Sequence, residues 1–260
     1  MQADNFTLEK YFKRIGYQGV PAADSKTLAA LMRCQLFTVP FENLDVQAGK
    51  VVSMVPEEIV EKIIFNPRGG YCYEVNGLFA MALAALGFEY TLIGARPMFY
   101  PARRPKTHMV LAVKADDQLW LCDLGFGSFG IRAPLNLSLV DKTIQQDDDF
   151  FRIAKLGDND FIMQALVDGE WVSQYGFDLY PHEWIDFFPA NFLNSKHPEA
   201  IFVQKLLVVK HNPTGRSILV GNRLKKMVNG IVESRELADA ELQTVLRDEF
   251  GLTEKLIQQK

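Results

Sequence analysis

The chain has 260 residues, 48% of them hydrophobic and 23% charged, with a formal net charge of −4 at pH 7. That length supports a large core and two or three subdomains, and the composition is that of an ordinary globular protein. The small negative charge excludes a global basic field for nucleic acid or an anionic membrane, so neither is an expected partner.

Cys34, Cys72 and Cys122 are three and far apart, which argues against a disulfide framework and for a reducing compartment. No Cys-x-x-Cys and no His pair at ligand spacing occurs, so no metal site is expected. Asp4, Glu9 and Lys10 precede any apolar run, unlike a signal peptide, and the longest uncharged apolar run, Val75 to Phe88, is too short to span a bilayer. The expected location is the cytoplasm. The 19 Phe point to a strongly aromatic core or to an aromatic ligand pocket.

In chain order, Asn5 to Ile15 and Lys26 to Leu36 carry apolar residues at helical spacing, with Ser25 the expected cap of the second helix. Pro40 breaks the pattern, and Phe41 and Leu44 are expected on an inward-facing loop or short helix. Pro56-Glu57-Glu58 opens a third helix running to about Phe65 and ending at Asn66-Pro67. After Gly69-Gly70 comes a helix that is apolar nearly all round and stops at Gly87, the pattern of a buried central helix. From Phe88 the chain becomes β-prone: Tyr90 to Gly94, then after a loop over 97–105, Thr107 to Lys114 and Leu119 to Asp123, then Phe150–Lys155, Phe161–Val167 and Trp171–Phe177. Such regular short strands suggest a meander or barrel. Past Pro189, Asn191 to Ser195 and His197 to Phe202 precede two strands, Gln204–Lys210 and Ser217–Val220, and a last helix from Asp239 to just before Gly251.

Cys72 falls in the first turn of the buried helix, directly after the glycine turn. Unpaired backbone N–H groups and the helix dipole there favour an anion, which lowers a thiol pKa and produces a nucleophilic thiolate. The same N–H groups can stabilise an oxyanion formed at the sulfur's target. A buried, inert thiol is the competing reading of any unpaired cysteine.

Hairpin arithmetic brings in two more residues. With Ala115–Gln118 as the loop, Lys114 pairs with Leu119 and paired numbers have a constant sum. Asp123 then lies opposite Val110, and His108 opposite Gly125. His108 and Asp123 become diagonal neighbours on one face, within reach of an imidazole–carboxylate hydrogen bond, while Cys122 and Met109 take the other face. A one-residue change in the loop flips the faces. A carboxylate on one ring nitrogen fixes the tautomer and leaves the other nitrogen to take a proton from a thiol. The competing reading is a surface hairpin whose His and Asp meet only water.

Arg68-Gly-Gly-Tyr-Cys72-Tyr-Glu-Val-Asn76, Thr107-His108-Met-Val-Leu and Asp123-Leu-Gly-Phe-Gly127 together resemble the arylamine N-acetyltransferase family, as do Val39-Pro-Phe41-Glu-Asn-Leu-Asp45 and His197-Pro198 followed by Phe202. The resemblance implies an α+β fold of three domains with a papain- and transglutaminase-like catalytic core. These are an N-terminal helical bundle (1–87), a β-barrel (88–190) and a C-terminal α/β lid (191–260). It implies a catalytic triad of Cys72, His108 and Asp123, and aromatic pocket residues Phe41, Phe126 and Phe202. Gly127 and Thr107 then lie on the donor side. The implied activity moves an acetyl group from the co-substrate acetyl-CoA to arylamines or arylhydrazines, or to the oxygen of N-hydroxyarylamines, without a metal, in a monomer or homodimer. Arg103, Arg104 and Lys106 form a basic cluster that either meets coenzyme A phosphates or is a solvated loop. The triad alone also permits a cysteine peptidase or transglutaminase, and an inert Cys72 would leave a binding module.

Overall fold

The computed structural model describes residues 1–127 and 129–253. Thr7 caps α1 (Leu8–Ile15) by accepting from the Lys10 N–H, and Gly16 closes it in the left-handed conformation. The helix α2 (Ser25–Thr38) is capped not by Ser25 but by Asp24, whose carboxylate accepts from the Thr27 N–H at 2.7 Å. A carboxylate caps as well as a hydroxyl does and adds negative charge at the positive end of the helix. Phe41 and Glu42 form a short strand, β1 (Phe41–Glu42), and α3 (Leu44–Gln47) follows. The third expected helix is α4 (Pro56–Val60), which has Pro56 and two glutamates in its first turn and continues as one π-helical turn over Glu61–Phe65. Next comes α5 (Cys72–Ala85), buried almost all round, with Gly87 at φ +78° just beyond it. The turn before it needs Gly69, because a Cβ there would lie 1.8 Å from the Pro40 carbonyl oxygen.

The middle of the chain forms β2 (Glu89–Pro97), β3 (His108–Ala115), β4 (Gln118–Cys122), β5 (Leu135–Asn136), β6 (Ile144–Gln146), β7 (Asp149–Lys155), β8 (Asp160–Val167) and β9 (Glu170–Asp178). They build one antiparallel sheet in the order β5-β4-β3-β2-β9-β8-β7-β6, curled into a nearly closed barrel. The β3–β4 hairpin keeps the expected register, with Lys114 opposite Leu119, but its turn is tighter. Ala115 pairs with Gln118, leaving only Asp116 and Asp117 between the strands. Their φ values of 51° and 55° are those of a two-residue turn that matches strand twist. The ladder ends at Leu111 and Cys122, so Gly125 does not pair with His108.

A 3₁₀ turn over Trp184–Phe187 leads into α6 (Phe188–Lys196) and α7 (Ile201–Gln204). Then come β10 (Leu207–Asn212), β11 (Gly215–Val220), β12 (Arg223–Val228), β13 (Ile231–Glu236) and α8 (Asp239–Phe250). The first expected strand of this region therefore starts at Leu207, because Gln204 still belongs to α7. The second sheet has the order β1-β10-β11-β12-β13, so Phe41, from the N-terminal part, pairs with Val209 near the C-terminus.

Two cores hold these parts. The larger joins α5 (Leu78, Phe79, Ala82) to the barrel (Ile93, Val110, Leu111), and the smaller seats Val245, Leu246 and Phe250 of α8 on Val208, Leu219 and Leu224. No helix among the described residues is long and apolar enough to cross a membrane.

Candidate active site

Three elements converge on one buried point. Cys72 is the first residue of α5 and 3% exposed. Glu74 closes that helix end by accepting the Tyr71 N–H at 3.0 Å. The segment after β4 is pressed against the same turn: a Cβ on Gly125 would stand 2.4 Å from the Cys72 Cα, so only glycine fits. His108 opens β3, and its Nε2 donates to Asp123 Oδ2 at 2.8 Å. The Cys72 side chain lies close enough to the same imidazole to act on its protonation. With Nε2 committed to Asp123, Nδ1 is the nitrogen left for the thiol. The expected diagonal contact across the hairpin is therefore present, and Cys72 is brought to it.

Asp123 is held on its other side as well. Its Oδ1 accepts the Gly125 N–H at 2.9 Å and the Asn76 amide at 3.2 Å. Asn76, one turn along α5 from Cys72, also donates to the Met109 carbonyl at 2.8 Å and accepts the Leu124 N–H at 2.9 Å. One amide thus ties the cysteine helix to β3 and to the segment that follows β4. Sequence reasoning placed Asn76 inside a motif but gave it no role; a buried Asn one turn after a candidate nucleophile is the signal. Tyr175 of β9 was missed too. Its ring lies 5.2 Å from that of His108, and its buried hydroxyl stands against Asp123 without reaching good hydrogen-bond geometry. No spacing in the sequence links residue 175 to residue 123, because the contact is made across the barrel.

Burial works against both charges of the pair, and the pair overcomes it. Desolvation lowers the His108 pKa, but the Asp123 charge, its hydrogen bond and Cys72 outweigh this and push it up to about 10. Burial raises Asp123, yet His108, the Gly125 N–H and Asn76 hold its carboxyl below the usual range. An imidazolium–carboxylate pair is thereby kept in a deeply buried site.

A cavity of about 460 Å³ opens onto Cys72 and His108. Phe41, Phe126, Phe202, Gly127 and Thr107 all line it. Phe126 meets His108 edge to face at 5.2 Å between ring centroids, and Phe41 and Phe202 face each other at 6.0 Å. Gly127 takes φ +98°, and its carbonyl accepts from His211 Nε2 at 3.1 Å. The Thr107 carbonyl is fixed by the Tyr73 hydroxyl at 2.8 Å and by Asn194 of α6 at 3.0 Å. The basic cluster divides: Lys106 pairs with Asp178 at 2.6 Å, Arg103 is exposed, and Arg104 lines the cavity. Among the described residues no group of three or more His, Cys, Asp or Glu is placed to hold a metal ion.

The sequence profile of an N-acetyltransferase family matches residues 24–257. The arylamine N-acetyltransferase of Escherichia coli is 35% identical over 252 residues, covering 94% of this chain and 88% of that protein. This chain belongs to the arylamine N-acetyltransferase family. Its fold agrees: the solved arylamine N-acetyltransferase of Salmonella typhimurium superposes with a TM-score of 0.91 at 29% identity, covering 99% of this chain and 94% of that one. The enzyme of Mycobacterium marinum, solved in complex with CoA, superposes at 0.89 with 31% identity, covering 95% and 93%.

Proposed function

We propose that this protein transfers an acetyl group from acetyl-CoA to the nitrogen of an arylamine or arylhydrazine, by a ping-pong reaction through acetyl-Cys72. The observation that carries the reading is the contact of His108 with both Asp123 and Cys72 at the floor of an aromatic cavity, in a chain of this family. The Cys72 proton resides on His108, and the sulfur attacks the thioester carbonyl. The first backbone N–H groups of α5 stabilise the oxyanion. As coenzyme A leaves, the imidazolium returns the proton to its sulfur, so free thiol is released and His108 is left neutral. Thioester exchange is nearly thermoneutral, so this step needs little driving force.

The arylamine arrives neutral near pH 7. It attacks acetyl-Cys72 while neutral His108 takes its proton, and the thiol and imidazole return to their starting state. Asp123 fixes the ring and stabilises the imidazolium without taking the proton. Phe41, Phe126 and Phe202 form the wall for a flat acceptor ring, and Gly127 and Thr107 border the path of the pantetheine arm. Residues 1–87 supply the nucleophile, 88–190 the base and its carboxylate, and 191–260 the covering lid. The working unit is a monomer or homodimer in the cytoplasm.

The test separates the half-reactions. Acetyl-CoA alone is expected to release a stoichiometric burst of free coenzyme A thiol, and later addition of an arylamine to restart release. Release that requires both substrates from the start sinks the ping-pong order.

A further inference from the structure

The loop between β2 and β3 carries an arginine that the proposed chemistry does not use. Phe99 meets Phe126 edge to face at 5.7 Å, Tyr100 lies 4.2 Å from Phe99, and the Arg104 guanidinium sits over the Tyr100 ring at 4.7 Å. Phe126 in turn touches His108. A ladder of rings thus runs from the catalytic imidazole to one guanidinium, all of it lining a single cavity.

Unlike Lys106, Arg104 has no acidic partner among the described residues, and unlike the exposed Arg103 it is partly buried at the cavity. Lys106 is neutralised by Asp178, and Arg96 donates to the Arg104 carbonyl without touching its side chain. The Arg104 Nε is buried and makes no hydrogen bond among the described residues. The cavity lining contains one acid, Glu199 of the α6–α7 connection, and besides Arg104 its other polar side chains are two amides, two hydroxyls, two histidines and the Cys72 thiol. A partly buried N–H donor of a permanently charged fork, left without an acceptor beside an apolar cavity, is matched by a planar or tetrahedral oxyanion.

We propose that Arg104 is a specificity-determining residue that pairs with an oxyanion group carried by a substrate. That group is either a carboxylate on the ring of the arylamine acceptor or a phosphate of the acetyl donor. The inference rests on the proposed acetyl-Cys72 reaction. Tyr100 holds the guanidinium flat, so the fork meets its oxyanion already oriented. Bound neutral substrates leave that donor unpaired, and substrates with the anion satisfy it.

The test uses the full chain, wild type against Arg104→Met and Arg104→Lys, with two matched pairs of probes. Acetyl-CoA is compared with 4-nitrophenyl acetate as the donor that forms acetyl-enzyme, and 4-aminobenzoate with 4-methylaniline as the acceptor that discharges it. Losing a charge-assisted hydrogen bond corresponds to roughly ten- to a hundred-fold in kcat/KM. Arg104→Met is expected to lose that factor for the anionic member of one pair, with its neutral member within about two-fold, and Arg104→Lys to recover part of it. Loss in the acceptor pair assigns the carboxylate, and loss in the donor pair assigns the phosphate. Unchanged ratios in both pairs overturn the proposal. So does an equal fall for all four probes, which would make Arg104 a support of the loop. A wild-type enzyme that no acetyl donor acylates refutes the underlying reaction instead.

Discussion

Two clusters of buried charge flank the start of α5, and they are built for different ends. On one side, His108 and Asp123 meet Cys72. On the other, Lys62 lies 2.6 Å from Asp45, 2.6 Å from Glu74 and 3.7 Å from Glu42, while Arg68 bonds Glu42 at 2.8 Å and Asp45 at 3.2 Å. Both clusters hold carboxylates away from water. The partners differ. Lysine and arginine keep their charge: burial lowers the Lys62 pKa, but the three carboxylates more than reverse it. Glu74 bears the residual strain, its pKa pushed up to about 7 by burial and Glu42 against the pull of Lys62. Histidine can give its proton away, and its cluster opens onto the aromatic cavity beside Cys72, whereas Lys62, Arg68, Asp45 and Glu74 line a separate pocket rich in charged residues. The difference teaches that the cation type decides whether a buried carboxylate holds the helix end in place or takes part in proton transfer.

The largest expected effect is at Asp123. Asp123→Asn is isosteric but lets the amide hold the wrong imidazole tautomer, and turnover should fall by about 10⁴. Steady-state acetylation against the melting curve checks this, and a fall below ten-fold breaks the functional half of the comparison. The same variant removes the largest force that raises the His108 pKa and leaves only Cys72 to oppose desolvation. An NMR titration of the ring should therefore fall well below the wild-type value of about 10. The sign also fixes a stability trend. Because the folded pKa of His108 is raised, its contribution is fully present below pH 6.5 and is lost as pH rises through about 10.

Next is the permanent-cation cluster. Lys62→Met leaves Glu42, Asp45 and Glu74 without the cation they share and should cost about 3–5 kcal/mol of unfolding free energy in denaturant titration. Acetyl-enzyme formation per folded molecule should change far less than in Asp123→Asn. If it is lost equally, the two clusters act as one unit.

The smallest effect concerns the aromatic wall. Phe126 is half-buried, lines the cavity and touches His108. Phe126→Ala should lower acceptor kcat/KM roughly two- to twelve-fold, from about 0.5–1.5 kcal/mol of lost ring contact, and leave acetylation by acetyl-CoA less affected. A destabilisation of about 3–5 kcal/mol with unchanged acceptor preference would instead make the ring structural.

Legibility in the sequence followed the range of each contact. The His108–Asp123 pair was readable because hairpin register is local arithmetic, and the tighter turn at Asp116-Asp117 left the pairing sum unchanged. The Cys72 helix was readable because glycines mark both of its ends. The final hairpin was also legible but missed: Asn229-Gly230, with φ values of 49° and 77°, is a strong two-residue turn signal between β12 and β13. Its strands alternate weakly and β13 is exposed throughout, so the hydrophobic pattern gave no support. β5 and β6 span two and three residues, too few to show any period. Pairing of Phe41 with Val209, closure of Tyr175 on the triad and the isolation of Arg104 beside the cavity all join distant stretches of chain. No single-sequence periodicity encodes those contacts.

The central claim is that the acetyl group passes through Cys72. The most direct measurement is peptide-resolved mass analysis after mixing the protein with acetyl-CoA alone. The expected result is a gain of one acetyl group, carried by the peptide containing Cys72, absent from those with Cys34 and Cys122, and removed by an arylamine. No gain, or an acetyl group on either of the other two thiols, would contradict it.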